Sequence, residues 1–177
     1  YNPSHLFGFF SAFNADMIND VVLYKGGIPA NYGGRASSIL DLSYKKGDMQ
    51  QWNGTATLGT ISTKATFGGP IIKDKVSVLA TGRVSYANYL LGLVNNADIR
   101  NSSAQFYDGS IVLNYNISDK SSIDYSGYYS SDGFNLASDT TVTWSNFINV
   151  ISLNRAFKEH FLLKDSVNSS QYQFNIL

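Results

Sequence analysis

Two histidines, His5 and His160, are the only imidazoles among the 177 residues, and there is no cysteine. They stand far apart with no thiolate neighbour, so no zinc-binding spacing exists, and disulfide chemistry is excluded. His160 belongs to the charged stretch Phe157-Lys158-Glu159-His160, where solvent exposure is the expected state. His5 belongs to NPSHLFGFF, and two roles stay open to it: contact with a ligand, or a packing or turn role. The glycines of GGIPANYGG are not followed by the Lys-Ser/Thr of a phosphate-cradling loop, and no Gly-x-Ser-x-Gly elbow occurs. No constellation for an enzyme is left, and no cofactor is implied. The Asn-x-Ser/Thr triplets at Asn53, Asn101, Asn116 and Asn168 are what an Asn- and Ser-rich chain produces by chance.

Thirteen basic residues cancel thirteen acidic ones, which removes the electrostatic footprint of a nucleic-acid binder. Charged residues make up 15% of the chain and aromatics 14%, against roughly a quarter charged in an ordinary soluble domain. A surface so poor in charge suits a medium other than water. No apolar run approaches the ~18 residues of a spanning helix, so any membrane span has to be made of strands.

From residue 50 onward the dominant period is two. In KVSVLATGRVSY one side collects Val76, Val78, Ala80, Gly82, Val84 and Tyr86, and the other Ser77, Leu79, Thr81, Arg83 and Ser85. Tyr107, Ile111, Leu113 and Tyr115 oppose Asp108, Ser110 and Asn114; Ile123, Tyr125 and Tyr129 oppose Asp124, Ser126 and Ser130. The pattern predicts strands at about 51–60, 61–72, 75–87, 105–116, 121–131 and 141–156, with a seventh from 161. Short polar turns at 72–75, 117–120 and 157–160 alternate with longer links at about 88–105 and 131–141. Strands of about ten residues, short turns on one rim and long loops on the other are the marks of an outer-membrane barrel. Tyr86, Tyr89, Tyr107, Tyr115, Tyr128, Tyr129 and Trp144 are candidates for its interfacial belts. A soluble β-rich binding domain also shows alternation and stays open as an alternative.

The first fifty residues differ. Asn14 is a candidate N-cap for a helical turn to about Asn19, followed by a strand through Val21 and Leu23 ending at Gly26-Gly27, and a second strand from Ser37 to Tyr44. Lys45 to Asp48 reads as a linker.

The stretch DVVLYKGGIPANYGGRASSILD, residues 20 to 41, resembles the last part of the plug domain of TonB-dependent outer-membrane receptors, particularly the Bacteroidetes type. The carrying residues are Asp20, Val21, Leu23 to Gly27, Pro29, Ala30, Tyr32 to Arg35, Ser37, Ser38, Leu40 and Asp41. YNPSHLFGFFSAFN upstream and GGPIIKDKVSVLATGRVSY downstream are also similar to that family. The resemblance implies a mainly β fold: residues 1–47 as the C-terminal part of an α+β plug, and 48–177 as the first six or seven strands of a transmembrane antiparallel β-barrel. By that likeness the whole barrel has about 22 strands, so this chain is expected to be an excerpt of a longer one.

Within a plug, Gly26, Gly27, Gly33 and Gly34 are expected to supply positive dihedrals and close approach to the barrel wall. Arg35 either pairs with inward carboxylates such as Asp108 and Asp124, or pairs within the plug sheet or reaches solvent. Ligand contacts are expected at the plug apex and outer rim, from His5, Phe7, Phe9, Phe10 and the 88–105 link. The implied function is energy-coupled uptake of a scarce nutrient ligand across the bacterial outer membrane. Its implied partners are outer-membrane lipid, the inner-membrane TonB complex acting on a segment upstream of Tyr1, and a surface lipoprotein. A same-fold scaffold or accessory in an envelope assembly is the second reading.

Overall fold

The computed structural model describes residues 4–30, 32, 38–136, 140–157 and 161–177. Gly33, Gly34, Arg35 and His160, and the side chain of Phe7, lie outside the described residues.

The chain is mainly β and its sheets are antiparallel. Two short strands, β1 (Ser4–His5) and β2 (Phe10–Ser11), close a small loop over a 3-10 turn at Leu6–Gly8. A hairpin follows, β3 (Ile18–Tyr24) with β4 (Ile39–Tyr44). Seven strands then form one meander: β5 (Asn53–Leu58), β6 (Ser62–Ile72), β7 (Val76–Ser85), β8 (Ser103–Ser118), β9 (Ser121–Leu136), β10 (Thr140–Phe157) and β11 (Phe161–Ile176). Each pairs with its sequence neighbours, and the sheet is open, with β5 and β11 at its edges.

The alternation places six of the strands to within a few residues and bears out the seventh. Two links differ from the sequence expectation. The 88–105 link carries two short helices, α1 (Ala87–Leu91) and α2 (Ala97–Arg100). Asn96 caps α2, its side chain accepting the N–H groups of Asp98 and Ile99. The 131–141 link is mostly strand: β9 runs on to Leu136 and β10 starts at Thr140. At the N-terminus Asn14 accepts the Asp16 N–H at 3.0 Å but caps only a turn, and β3 begins at Ile18. The Ile18-to-Tyr24 run is β-branched enough to take the extended state one turn early.

Partners across an antiparallel ladder project to the same face, so the register sorts the side chains. Val78, Leu113, Tyr125 and Ile151 make one row across β7 to β10; Val76, Tyr115, Ile123 and Leu153 make the next. On this apolar face Phe67, Val84, Tyr107, Ile111, Tyr115, Tyr129, Phe147 and Ile151 are all exposed. The band is topped by Tyr107 on β8, Phe147 on β10 and Val167 on β11, stepping down the ladder as in tilted strands. Beyond it the same face turns to Ser131, Ser145 and Gln173. Asp165 is the acidic exception within the band.

The opposite face is covered by residues 5–17 and by the β3–β4 hairpin. Among the described residues eleven polar side chains are buried against seven hydrophobic ones, so the interior is built from the strands' polar side. Two expected belt aromatics are corrected here: Tyr128 and Trp144 are buried on this face. Period two separates Tyr128 from Tyr129, and the ladder to Asp108 and Ser130 decides which goes inward.

Candidate functional site

Residues 5 and 6 are held to the sheet by one carboxylate. His5 Nδ1 lies 2.8 Å from Asp132 Oδ2, and the Leu6 N–H donates to Asp132 Oδ1 at 3.1 Å. Leu6 takes a left-handed backbone at φ 46°, a conformation that costs a bulky residue about 1–2 kcal/mol. That conformation leaves its N–H aimed at Asp132 and its side chain buried. On its other edge His5 Nε2 lies 3.5 Å from Asp108 Oδ2 and 3.5 Å from the Tyr128 hydroxyl. The Asp108 oxygen is also the acceptor for Arg83 Nε at 2.7 Å. The imidazole lies flat on Phe106, centroids 4.3 Å apart at 6°, and the Arg83 guanidinium carbon sits 5.0 Å from the same ring. His5, Asp108 and Asp132 are all buried, His5 with 0% exposure.

Three further links run along the segment. Arg83 donates to the Ser11 carbonyl at 2.8 Å, Asn14 Nδ2 donates to Thr81 Oγ1 at 2.7 Å, and Lys64 Nζ meets Asp16 Oδ2 at 2.7 Å. At the far end Lys46 Nζ lies 3.0 Å from Asp124, which also accepts from Asn154 at 2.9 Å and from Asn114. Asp108 and Asp124 do face the N-terminal region, as the alternation suggests. Their described basic partners are His5, Arg83 and Lys46; the expected Arg35 contact lies outside the described residues.

Burial removes water from His5 and by itself lowers its pKa. Hydrogen bonding to Asp108 and Asp132, and the attraction of both carboxylates, outweigh that, so His5 titrates above its ordinary 6.5. The arrangement can hold a proton and, with it, hold a chain segment. It places no nucleophile in reach of solvent, and among the described residues no group of three metal-ligating side chains is assembled.

Beside the cluster an apolar cleft of about 480 Å³ opens at the rim. Leu6, Phe9 and Phe10 line one side, Leu90, Leu91 and Ile99 of the two short helices another, and Phe134 lies against it; among the described residues no charged side chain lines it. Phe9 and Phe10, predicted to meet ligand, are brought here together with the 88–105 link. His5 is not in the lining: of its two sequence roles the structure shows packing.

The expectation for Gly26 and Gly27 is corrected in part. Gly27 takes φ 60°, but Gly26 does not have a positive φ, and among the described residues nothing lies within 4 Å of where a Cβ would stand at either. Close approach falls instead on Gly47 of the linker, where a side chain would collide with the Val78 carbonyl. Sequence reasoning also missed Asp132, because SSDGFN has the composition of a loop; the signal available was its parity with Asp124 and Ser130 along β9. Comparison with protein-family models, curated proteins and solved structures finds no match to this chain.

Proposed function

We propose that this chain is part of a TonB-dependent outer-membrane receptor, in which residues 1–47 end the plug and 48–177 begin a transmembrane β-barrel. The observation that carries the reading is the inverted sheet: a broad apolar face lies open while the polar face is buried under the N-terminal region. Apart from Trp52, which stacks on Phe67 at 4.8 Å, no described residue of another element covers that open face. A soluble sheet buries its apolar side and solvates the other. A wall between lipid and a plugged lumen needs the reverse, with spanning strands of about ten residues and every backbone group paired. The open edges at β5 and β11 are then where further strands continue the wall.

In this reading ligand arrives at the rim that carries α1, α2 and the cleft, and the inner-membrane TonB complex pulls the plug from the side of the short turns. The ligand presents an uncharged apolar group to Phe9 and Phe10. The test uses intact cells making the full chain, which in these residues has no cysteine to mask a label. A cysteine at Leu93 is expected to react with an impermeant maleimide from outside, and one at Lys120 only after the outer membrane is permeabilised. Deleting the TonB-coupling segment is expected to reproduce the growth defect of full deletion under nutrient limitation. Equal labelling at both positions would overturn the topology, and normal growth without the coupling segment would overturn uptake in favour of a scaffold.

A further inference from the structure

We propose that His5, seated between Asp132 and Asp108, is a proton-operated latch that fastens the N-terminal segment to the sheet and shapes the neighbouring cleft. Among the described residues the groups that face it are Asp108 on β8, Asp132 and Tyr128 on β9, and Arg83 on β7. Among the described groups, with both carboxylates ionised and Arg83 charged, a neutral His5 leaves one negative charge unbalanced in a buried site. A protonated His5 balances the cluster and donates from both ring nitrogens, toward Asp132 on one edge and Asp108 on the other. An unbalanced buried charge is the expensive state, and loosening the segment so that water reaches the carboxylates relieves it.

The cleft feels the same event through the contacts of Leu6, Phe10 and Phe134. Leu6 hangs on Asp132 through its N–H, Phe10 lies 5.2 Å from Phe106, on which His5 stacks, and Phe134 is two residues beyond Asp132 on β9. Leu6, Phe10 and Phe134 are three of the residues lining the cleft. Because the docked histidine has a raised pKa, the latch is at full strength below about 6.5, the ordinary value, and is lost as pH rises through the raised one. The latch stands independently of what the open face of the sheet borders.

Hydrogen exchange of the full chain in detergent micelles, corrected for the intrinsic pH dependence of exchange, reads the latch directly. Between pH 5.5 and 9.5 the peptide covering 4–16 is expected to lose protection progressively relative to peptides of β8 and β9. H5Q is expected to flatten this dependence. D132N removes one of the two carboxylates and is expected to move its midpoint to lower pH. A wild-type segment whose protection is the same across the range would overturn the proposal, as would an unchanged pH dependence in H5Q. If H5Q does not fold, an unmoved midpoint in D132N overturns it.

Discussion

The two faces of the seven-stranded sheet are made by the same alternation and meet opposite fates. On one, Val78, Leu113, Tyr125 and Ile151 stand in a row with no layer of described residues over them. On the other, Thr81, Asp108, Asn114, Ser130 and Asp132 are buried, and the segment that covers them is tied down by hydrogen bonds and ion pairs. The difference teaches that alternation alone does not say which side is the interior. Here the polar side is, and its cohesion depends on satisfying each buried group, where a greasy interior depends on area. The apolar side then needs a partner from outside the chain, and hydrocarbon is the proposed one.

The contrast is broken most severely at Asp132. D132A leaves His5 and the Leu6 N–H without their acceptor, and removing one partner of a buried charged pair costs about 3–5 kcal/mol. The expected outcome is an unfolding free energy in urea lowered by that amount, with residues 4–16 the first to lose exchange protection. A surface-like loss under ~1 kcal/mol would mean that the polar face is not a true interior. Next in size is I111R on the open face, expected to cost about 2–4 kcal/mol in lipid, with S131R near zero because Ser131 lies above the apolar band. Refolding into vesicles measures both, and equal costs would erase the distinction between band and rim.

G47A is expected to lose about 1–3 kcal/mol in the same assay, since the linker must shift from the Val78 carbonyl. The smallest effect is at the turn after β6, where Asp74 takes φ 62°. D74G is expected to stay within about 0.5 kcal/mol of wild type and D74V to lose about 1–2 kcal/mol, which sharpens the reading of that turn as conformational rather than electrostatic. Gln50 donates to the Asp74 carboxylate, so a D74G loss well above that would assign the turn to the side-chain bond instead.

Much of this was legible in the residues. Strict alternation located the sheet strands and put Asp108 and Asp124 on the face that receives the N-terminal region. It failed where composition and conformation part company. SSDGFN reads as loop yet continues β9, because its ladder partners on β8 and β10 supply the pairing that its own propensities do not. Tyr128 and Tyr129 are indistinguishable by type, and register alone sends one inward. His5 carried two roles in the sequence, and only the approach of β8 and β9, more than a hundred positions away, selects packing. The cleft was half visible: Phe9 and Phe10 were singled out, but the helices that complete it form within a link read as irregular.

The proposed arrangement has the open face bordering hydrocarbon while the opposite face encloses the N-terminal segment. Spin labels at Ile111 and Ile151, with Ser131 and Ser145 as references, in the full chain reconstituted into vesicles, test it by collision with oxygen and with a water-soluble nickel chelate. High oxygen and low nickel accessibility are expected at the first pair and the reverse at the second. High nickel accessibility at Ile111 and Ile151, or protection of both from either reagent by a covering protein layer, would contradict it.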